Sequence, residues 1–137
     1  AEDSIEVDGV RHEFSVVSLG NPHAVVVVDD VEAAPVAEVA SAIQGDARFA
    51  DGVNVSFLAV QDRAHVKLRV VERGTGETLA CGSGACAAVA WLTRRGQVSG
   101  RVRVTQGGGT LWVETDRGVG PVTLTGPATH VFEGTLE

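Results

Sequence analysis

The run Glu72-Arg73-Gly74-Thr75-Gly76-Glu77-Thr78-Leu79-Ala80-Cys81-Gly82-Ser83-Gly84-Ala85-Cys86 puts a carboxylate, a guanidinium and a thiol around one glycine turn. A β-branched stretch from His65 to Val71 delivers the charged pair into that turn, and Cys81 closes it where an apolar helical run begins. A thiol at a helix start faces unpaired N–H groups and the positive end of the macrodipole. That position predicts a lowered pKa and a raised thiolate fraction. The amides of Gly82, Ser83 and Gly84 predict a concave cradle, free of side chains, suited to a carboxylate or phosphate. A thiolate beside an anion cradle, with Glu72 and Arg73 at hand, predicts a reaction site.

The elements that must hold these groups follow from periodicity. Ser4 to Val10 and Glu13 to Leu19 read as two strands joined through Asp8-Gly9, a hairpin signal. Gly20-Asn21-Pro22-His23 interrupts before Ala24 to Val28, an apolar run typical of a buried strand. Pro35 predicts a helix start, Val36, Val39, Ala40 and Ile43 its buried face, and Gly45 its end. Val53 to Val60 and His65 to Glu72 read as strands, as do Arg101 to Gln106, Leu111 to Thr115, Val119 to Thr125 and Thr129 to Leu136. In the strand before the glycine turn, Val66, Leu68, Val70 and Glu72 share one face, while Lys67, Arg69, Val71 and Arg73 share the other. Glu72 thus ends an apolar row, which predicts a partly buried carboxylate.

From Ala85 to Leu92 there is no charge on any side, so the helix opened by Cys81 cannot keep one wet face. Arg94 and Arg95 suit its C-terminal dipole, and Gly96 its end. One all-apolar helix among many strands predicts an α+β fold: a mixed, mostly antiparallel β-sheet wrapped around a central buried α-helix. Residues 1–137 make one domain's worth of chain, with no internal repeat, low-complexity segment or linker.

Composition removes whole classes of partner. A net charge of −7, with Arg94-Arg95 the only basic pair, argues against nucleic acid. No apolar run approaches the ~18 residues of a membrane span. The start at Ala1-Glu2-Asp3, with neither a leader pattern nor a methionine, reads as a cut or processed chain. Two cysteines five apart make no disulfide framework, which predicts a reducing, cytoplasmic setting. His12, His65 and His130 lack ligand spacing, so no metal is expected. Lys67, the only lysine, sits mid-strand among exposed partners, so no pyridoxal Schiff base is expected either.

With these residues in place, the chain resembles the diaminopimelate epimerase family. The resemblance rests on Gly20-Asn21-Pro22-His23, Gly52-Val53-Asn54-Val55, Glu72-Arg73-Gly74-Thr75-Gly76-Glu77-Thr78 and Ala80-Cys81-Gly82-Ser83-Gly84-Ala85-Cys86, in the family's order and at its separations. It covers the whole chain, and together the motifs are highly specific. It implies two similar domains, each a sheet on a central helix, with the substrate between them. This chain looks like the C-terminal one, because the first domain's Cys-Gly-Asn-Gly type motif has no counterpart here. The implied reaction is cofactor-free conversion of LL-diaminopimelate to meso-diaminopimelate in lysine and peptidoglycan precursor synthesis. One cysteine removes the α-proton, and a second donates one from the opposite face. Cys86 is not that second cysteine: five helical residues place it about 7 Å further along and about 140° round, so it reads as a small buried apolar residue.

The resemblance implies the site residues one by one. Cys81 is the acid/base; its plainer reading is a buried structural thiol. Gly82 and Ser83 donate N–H bonds to the substrate carboxylate, alongside or instead of ordinary helix capping. Glu72 contacts the substrate ammonium, or else forms a strand-end salt bridge. Arg73 pairs the far carboxylate through its planar fork, or else is a surface arginine. His23 lies beside the catalytic centre and assists proton transfer, or is structural. Asn21 and Asn54 hold the distal end of the substrate; without the resemblance they are ordinary turn and strand residues.

Two other functions fit the same residues. One is a thiol hydrolase, with Cys81 activated by His23 and an oxyanion hole from Gly82 and Ser83. The other is an amino-acid-binding fragment without turnover. The family pattern also implies that residues 128–137 form a strand completing the missing domain. Here that strand is expected to lack a neighbour, and so to be disordered or paired with a second copy in a homodimer.

Overall fold

A computed structural model of the chain describes residues 3–18, 21–74, 76–78, 81–117, 119–126 and 130–136, with side chains left aside at 119–121 and 130–136. Of the motif residues, Gly20, Thr75 and Ala80 lie outside these, as do Ala128, Thr129 and Glu137 of the tail. The fold is a mixed sheet with two helices. β1 (Asp3–Val7) and β2 (Val10–Ser18) form the expected hairpin through Asp8-Gly9, both with positive φ. β3 (Pro22–Val27) runs antiparallel to β2. The chain then crosses over through α1 (Val36–Gln44) and a single 3-10 turn at Ala47–Phe49 to β4 (Asn54–Asp62), parallel to β3. β5 (His65–Glu72) returns antiparallel to β4.

Beyond β5 the sheet forks. Its first half, His65 to Lys67, pairs in parallel with β7 (Arg101–Gln106). Its second half, Val70 to Glu72, pairs with β6 (Gly76–Thr78), a short strand that the sequence reading leaves inside the glycine turn. β8 (Gly109–Asp116), β9 (Val119–Thr125) and β10 (His130–Leu136) continue as an antiparallel meander. The described part of the tail, residues 130–136, has a neighbour within this chain, where none was expected: it pairs with β9 of the same sheet. β10 follows β9 in the chain and takes its outer edge, as consecutive strands commonly do.

Each helix covers a different face. α1 packs Val36, Val39, Ala40 and Ile43 against Ala24, Val26, Val55, Phe57 and Val71. Pro35 stands just before its first residue, and Gln44 ties its end to the sheet by donating to Val53 O (3.1 Å) and Val71 O (3.2 Å). α2 (Gly82–Arg94) buries Gly84, Ala85, Cys86, Ala87, Ala88, Val89, Ala90 and Leu92 against the other face. Its small side chains let the backbone lie close to Val25, Leu58, Val70, Val104, Val113 and Leu124. Trp91 is only half-buried and carries the Arg95 guanidinium 4.7 Å above its ring. The Gly96 and Gln97 amides return to Thr93 O and Leu92 O and close the helix. Among the described residues no helix is long and apolar enough to cross a membrane.

Candidate active site

The topology gathers the predicted residues at one end of the sheet. Because β3 and β4 are parallel, their starts coincide, and His23 stands opposite Asn54. Because β5 is antiparallel to β4, with Val55 opposite Val71, the end of β5 arrives at the same place. The Arg73 amide donates to Asn54 Oδ1 (2.8 Å), so Asn54 fixes the backbone where the chain leaves β5. A cavity of about 310 Å³ opens there, lined by Asn21, Pro22, Gly52, Val53, Asn54, Glu72 and Arg73. Gly52 has φ +94, and a β-carbon on it would run into the Arg73 side chain lying across it. Arg73 is exposed, and its guanidinium has no ion-pair partner among the described residues. The neighbouring cation is different: Arg69 is locked to Glu77 by two 2.7 Å bonds.

Cys81 is the N-cap residue of α2, in extended conformation, and is 5% exposed. Its sulfur accepts from the Gly84 amide (3.3 Å), donates to Glu72 Oε1 (3.4 Å) and lies 3.6 Å from Ser83 Oγ. A β-carbon on Gly84 would stand 2.8 Å from Val70 Cγ2 and 3.2 Å from the sulfur, so only glycine lets the helix sit this close. The Gly82 and Ser83 amides have no acceptor among the described residues. Glu72 joins the two parts of the site, lining the cavity while its carboxylate accepts from the thiol.

The thiol corrects one expectation. Its pKa is raised, not lowered: burial pushes it up, the Ser83 hydroxyl and the Gly84 amide pull it down, and the Glu72 carboxylate pushes it up again. Helix-start donors favour the thiolate, but in this dry position the loss of water outweighs them. Cys86, 2% exposed, is pushed up to about 11 by burial and by its neighbour Cys81. Both cysteines are free.

His23 lies fully buried on the α2 face, 0% exposed, and neither ring nitrogen has a partner among the described residues. Burial lowers its pKa while Glu72 raises it, so the ring is held neutral. It is not among the hydrogen-bond partners of the Cys81 sulfur, which among the described residues are Glu72, Ser83 and Gly84.

One residue at this site escapes the sequence reading. Gln106, at the end of β7 and 7% exposed, accepts from the Cys81 amide (2.9 Å) and donates to the Cys81 carbonyl (3.3 Å). The signal was available: Val102, Val104 and Gln106 form an inward row ending in a polar group, as Val66, Leu68, Val70 and Glu72 do.

Residues 15–131 match the family described as diaminopimelate epimerase. The diaminopimelate epimerase of Cupriavidus necator is 53% identical over 133 residues, which is 97% of this chain and 46% of that protein. The one from Nitrosomonas europaea is 50% identical over 97% of this chain and 48% of its own length. The O-ureido-serine racemase of Streptomyces lavendulae is 53% identical over 94% of this chain and 45% of its own length. This chain therefore spans about half the length of the curated relatives it matches. Among solved structures, a PhzF-family phenazine biosynthesis protein from Bacillus anthracis aligns with a TM-score of 0.59 at 17% identity. It covers 82% of this chain and 38% of that one. A PhzF-family protein from Enterococcus faecalis gives 0.57 at 18%, covering 82% and 42%. At such identities these two speak for the fold alone. The family match, by contrast, takes in most of the chain and every described residue of the site: the chain belongs to the diaminopimelate epimerase family.

Proposed function

We propose that this chain is one half of a cofactor-independent amino-acid epimerase acting on diaminopimelate, in cytoplasmic lysine and peptidoglycan precursor synthesis. The observation that carries the reading is the Cys81 thiol bonded to Glu72, beside two helix-start amides without acceptors among the described residues. A substrate α-carboxylate accepts from Gly82 and Ser83, where the fixed N–H dipoles also stabilise charge passing into it as the α-carbanion forms. Glu72 takes the substrate ammonium. Asn21 and Asn54 hold the distal end in the cavity, and Arg73 pairs the far carboxylate. A thiol whose pKa is raised is protonated at neutral pH, which suits Cys81 to deliver a proton to the α-carbon. In the reverse direction its thiolate removes that proton. His23, held neutral by burial, assists by keeping positive charge away from the thiol's proton.

A second thiol on the opposite face must come from outside this chain. Residues 1–137 are read as the C-terminal domain of a two-domain enzyme, its sheet wrapped around α2 as the central helix. Residues 128–137, of which β10 is the described part, then offer their outer edge to complete the other domain, or in its absence to a second copy. The racemase relative leaves the substrate's far end as the point to be tested. The Arg73 guanidinium over the cavity, without an ion-pair partner among the described residues, favours a second carboxylate over a neutral ureido group. The hydrolase alternative draws no comparable support, since the histidine it needs makes no hydrogen bond to the thiol.

The test is to combine this chain with the separately made other half in deuterium oxide and supply LL-diaminopimelate. Deuterium entering the α-position with formation of the meso isomer is expected, with negligible conversion by this chain alone. Turnover of O-ureido-serine in preference to diaminopimelate, or trapping of an acyl-enzyme, would replace the reading.

A further inference from the structure

The Cys81 peptide is held by a side chain that no motif names. Gln106 ends β7 at the turn into β8, where it pairs with Gly109, so its backbone is set by the hairpin. Its amide oxygen accepts from the Cys81 N–H, and its NH₂ donates to the Cys81 carbonyl, which also receives the first helical bond of α2 from Ala85 (3.1 Å). One planar amide thus reads a donor and an acceptor on the same residue, and a flipped amide would set oxygen against oxygen.

The four amides at the helix start divide into two kinds. Cys81 N–H is taken by Gln106 and Gly84 N–H by the sulfur, while Gly82 and Ser83 remain without acceptors among the described residues. We propose that Gln106 is a positioning residue: by clamping the Cys81 peptide from both sides it aims the thiol at Glu72 and the Gly84 amide, leaving Gly82 and Ser83 as the pair that receives a carboxylate. The last clause rests on the proposed function; the clamp itself does not. Without the clamp the N-cap backbone is free to rotate, and the sulfur leaves its buried position for water.

Amide exchange in the unaltered chain gives the first reading. Cys81 N–H, outside the helix ladder, is expected to exchange about 100-fold more slowly than Gly82 and Ser83 by NMR. Two variants give the second. Gln106→Met keeps the length but removes both bonds; Gln106→Glu keeps the acceptor for the Cys81 amide and adds negative charge beside the thiol. With Glu72, His23 and Cys86 unchanged, the pH profile of iodoacetamide reaction at Cys81 should fall toward an ordinary thiol in the Met variant, reacting about tenfold faster at pH 7. In the Glu variant it should rise, with the Cys81 amide still protected. Cys86, mapped in the same digest, should not respond. A merely structural role would lower the melting temperature and open Cys86 in step, without moving the Cys81 profile. Cys81 exchanging as fast as Gly82 and Ser83, or a Met variant with the parent Cys81 profile, would overturn the proposal. Neither readout needs turnover, so failure of the clamp and failure of the epimerase assignment are seen separately.

Discussion

The two helices solve different problems. α1 lays one apolar stripe on the sheet and leaves Ala37, Glu38 and Ser41 in water, and its start has no side-chain cap. α2 is buried on nearly every side, and its cap is a thiol bonded to a carboxylate. A helix that only covers a sheet can begin loosely, because water satisfies its first amides. A helix start withdrawn from water must have its amides satisfied by protein or by ligand, and there the choice of cap becomes chemistry.

The contrast can be broken at several points. Exchanging the cap should do the most: Cys81→Ser in the chain combined with its other half should lower epimerisation by about 10³-fold or more, because the hydroxyl is far less acidic than the thiol. Pro35→Ala at the start of α1 should leave the rate unchanged in the same deuterium assay. Packing comes next. Ala88→Leu inserts three carbons into a fully buried site of α2 and should cost about 2–3 kcal/mol in urea unfolding. Ala37→Leu, on the exposed face of α1, should stay within about 0.5 kcal/mol.

The pH dependence sharpens the contrast further. The Cys86 pKa is raised, so the folded state keeps a proton that the unfolded chain gives up. Stability should therefore fall as pH climbs from near 9 toward about 11, by roughly 2 kcal/mol, and Cys86→Ala should flatten most of that limb. His23 acts at the other end and should do least. Its pKa is lowered, so the unfolded chain binds the proton first, and stability should fall as pH drops below the ordinary histidine value of 6.5. His23→Gln should remove that acid loss; an acid limb surviving intact in the variant would assign it to another group.

Much of this was legible in the residues. Alternation along β5 foretold which side Glu72 faces, and the uncharged stretch from Ala85 to Leu92 foretold a buried helix. What escaped depends on neighbours distant in sequence. β6 is too short to show a period and exists because β5 offers it an edge. Gln106 matters only because β7 lies beside β5, a parallel pairing that no local pattern announces. The direction of the Cys81 shift was misread for a related reason. The helix start is visible as glycines after a cysteine, whereas the dryness around it comes from residues such as Val70 and Leu124, on strands before and after the helix in the chain.

The placing of Glu72 at the end of β5 has a consequence for how errors in folding would read out. Its neighbour in sequence, Arg73, carries the opposite charge, and successive strand residues face opposite sides. A one-residue slip of β5 against β4 would therefore not just loosen the site. It would present a cation to the sulfur in place of an anion and favour the thiolate over the thiol. At this position, strand alignment sets the sign of the charge that the thiol meets.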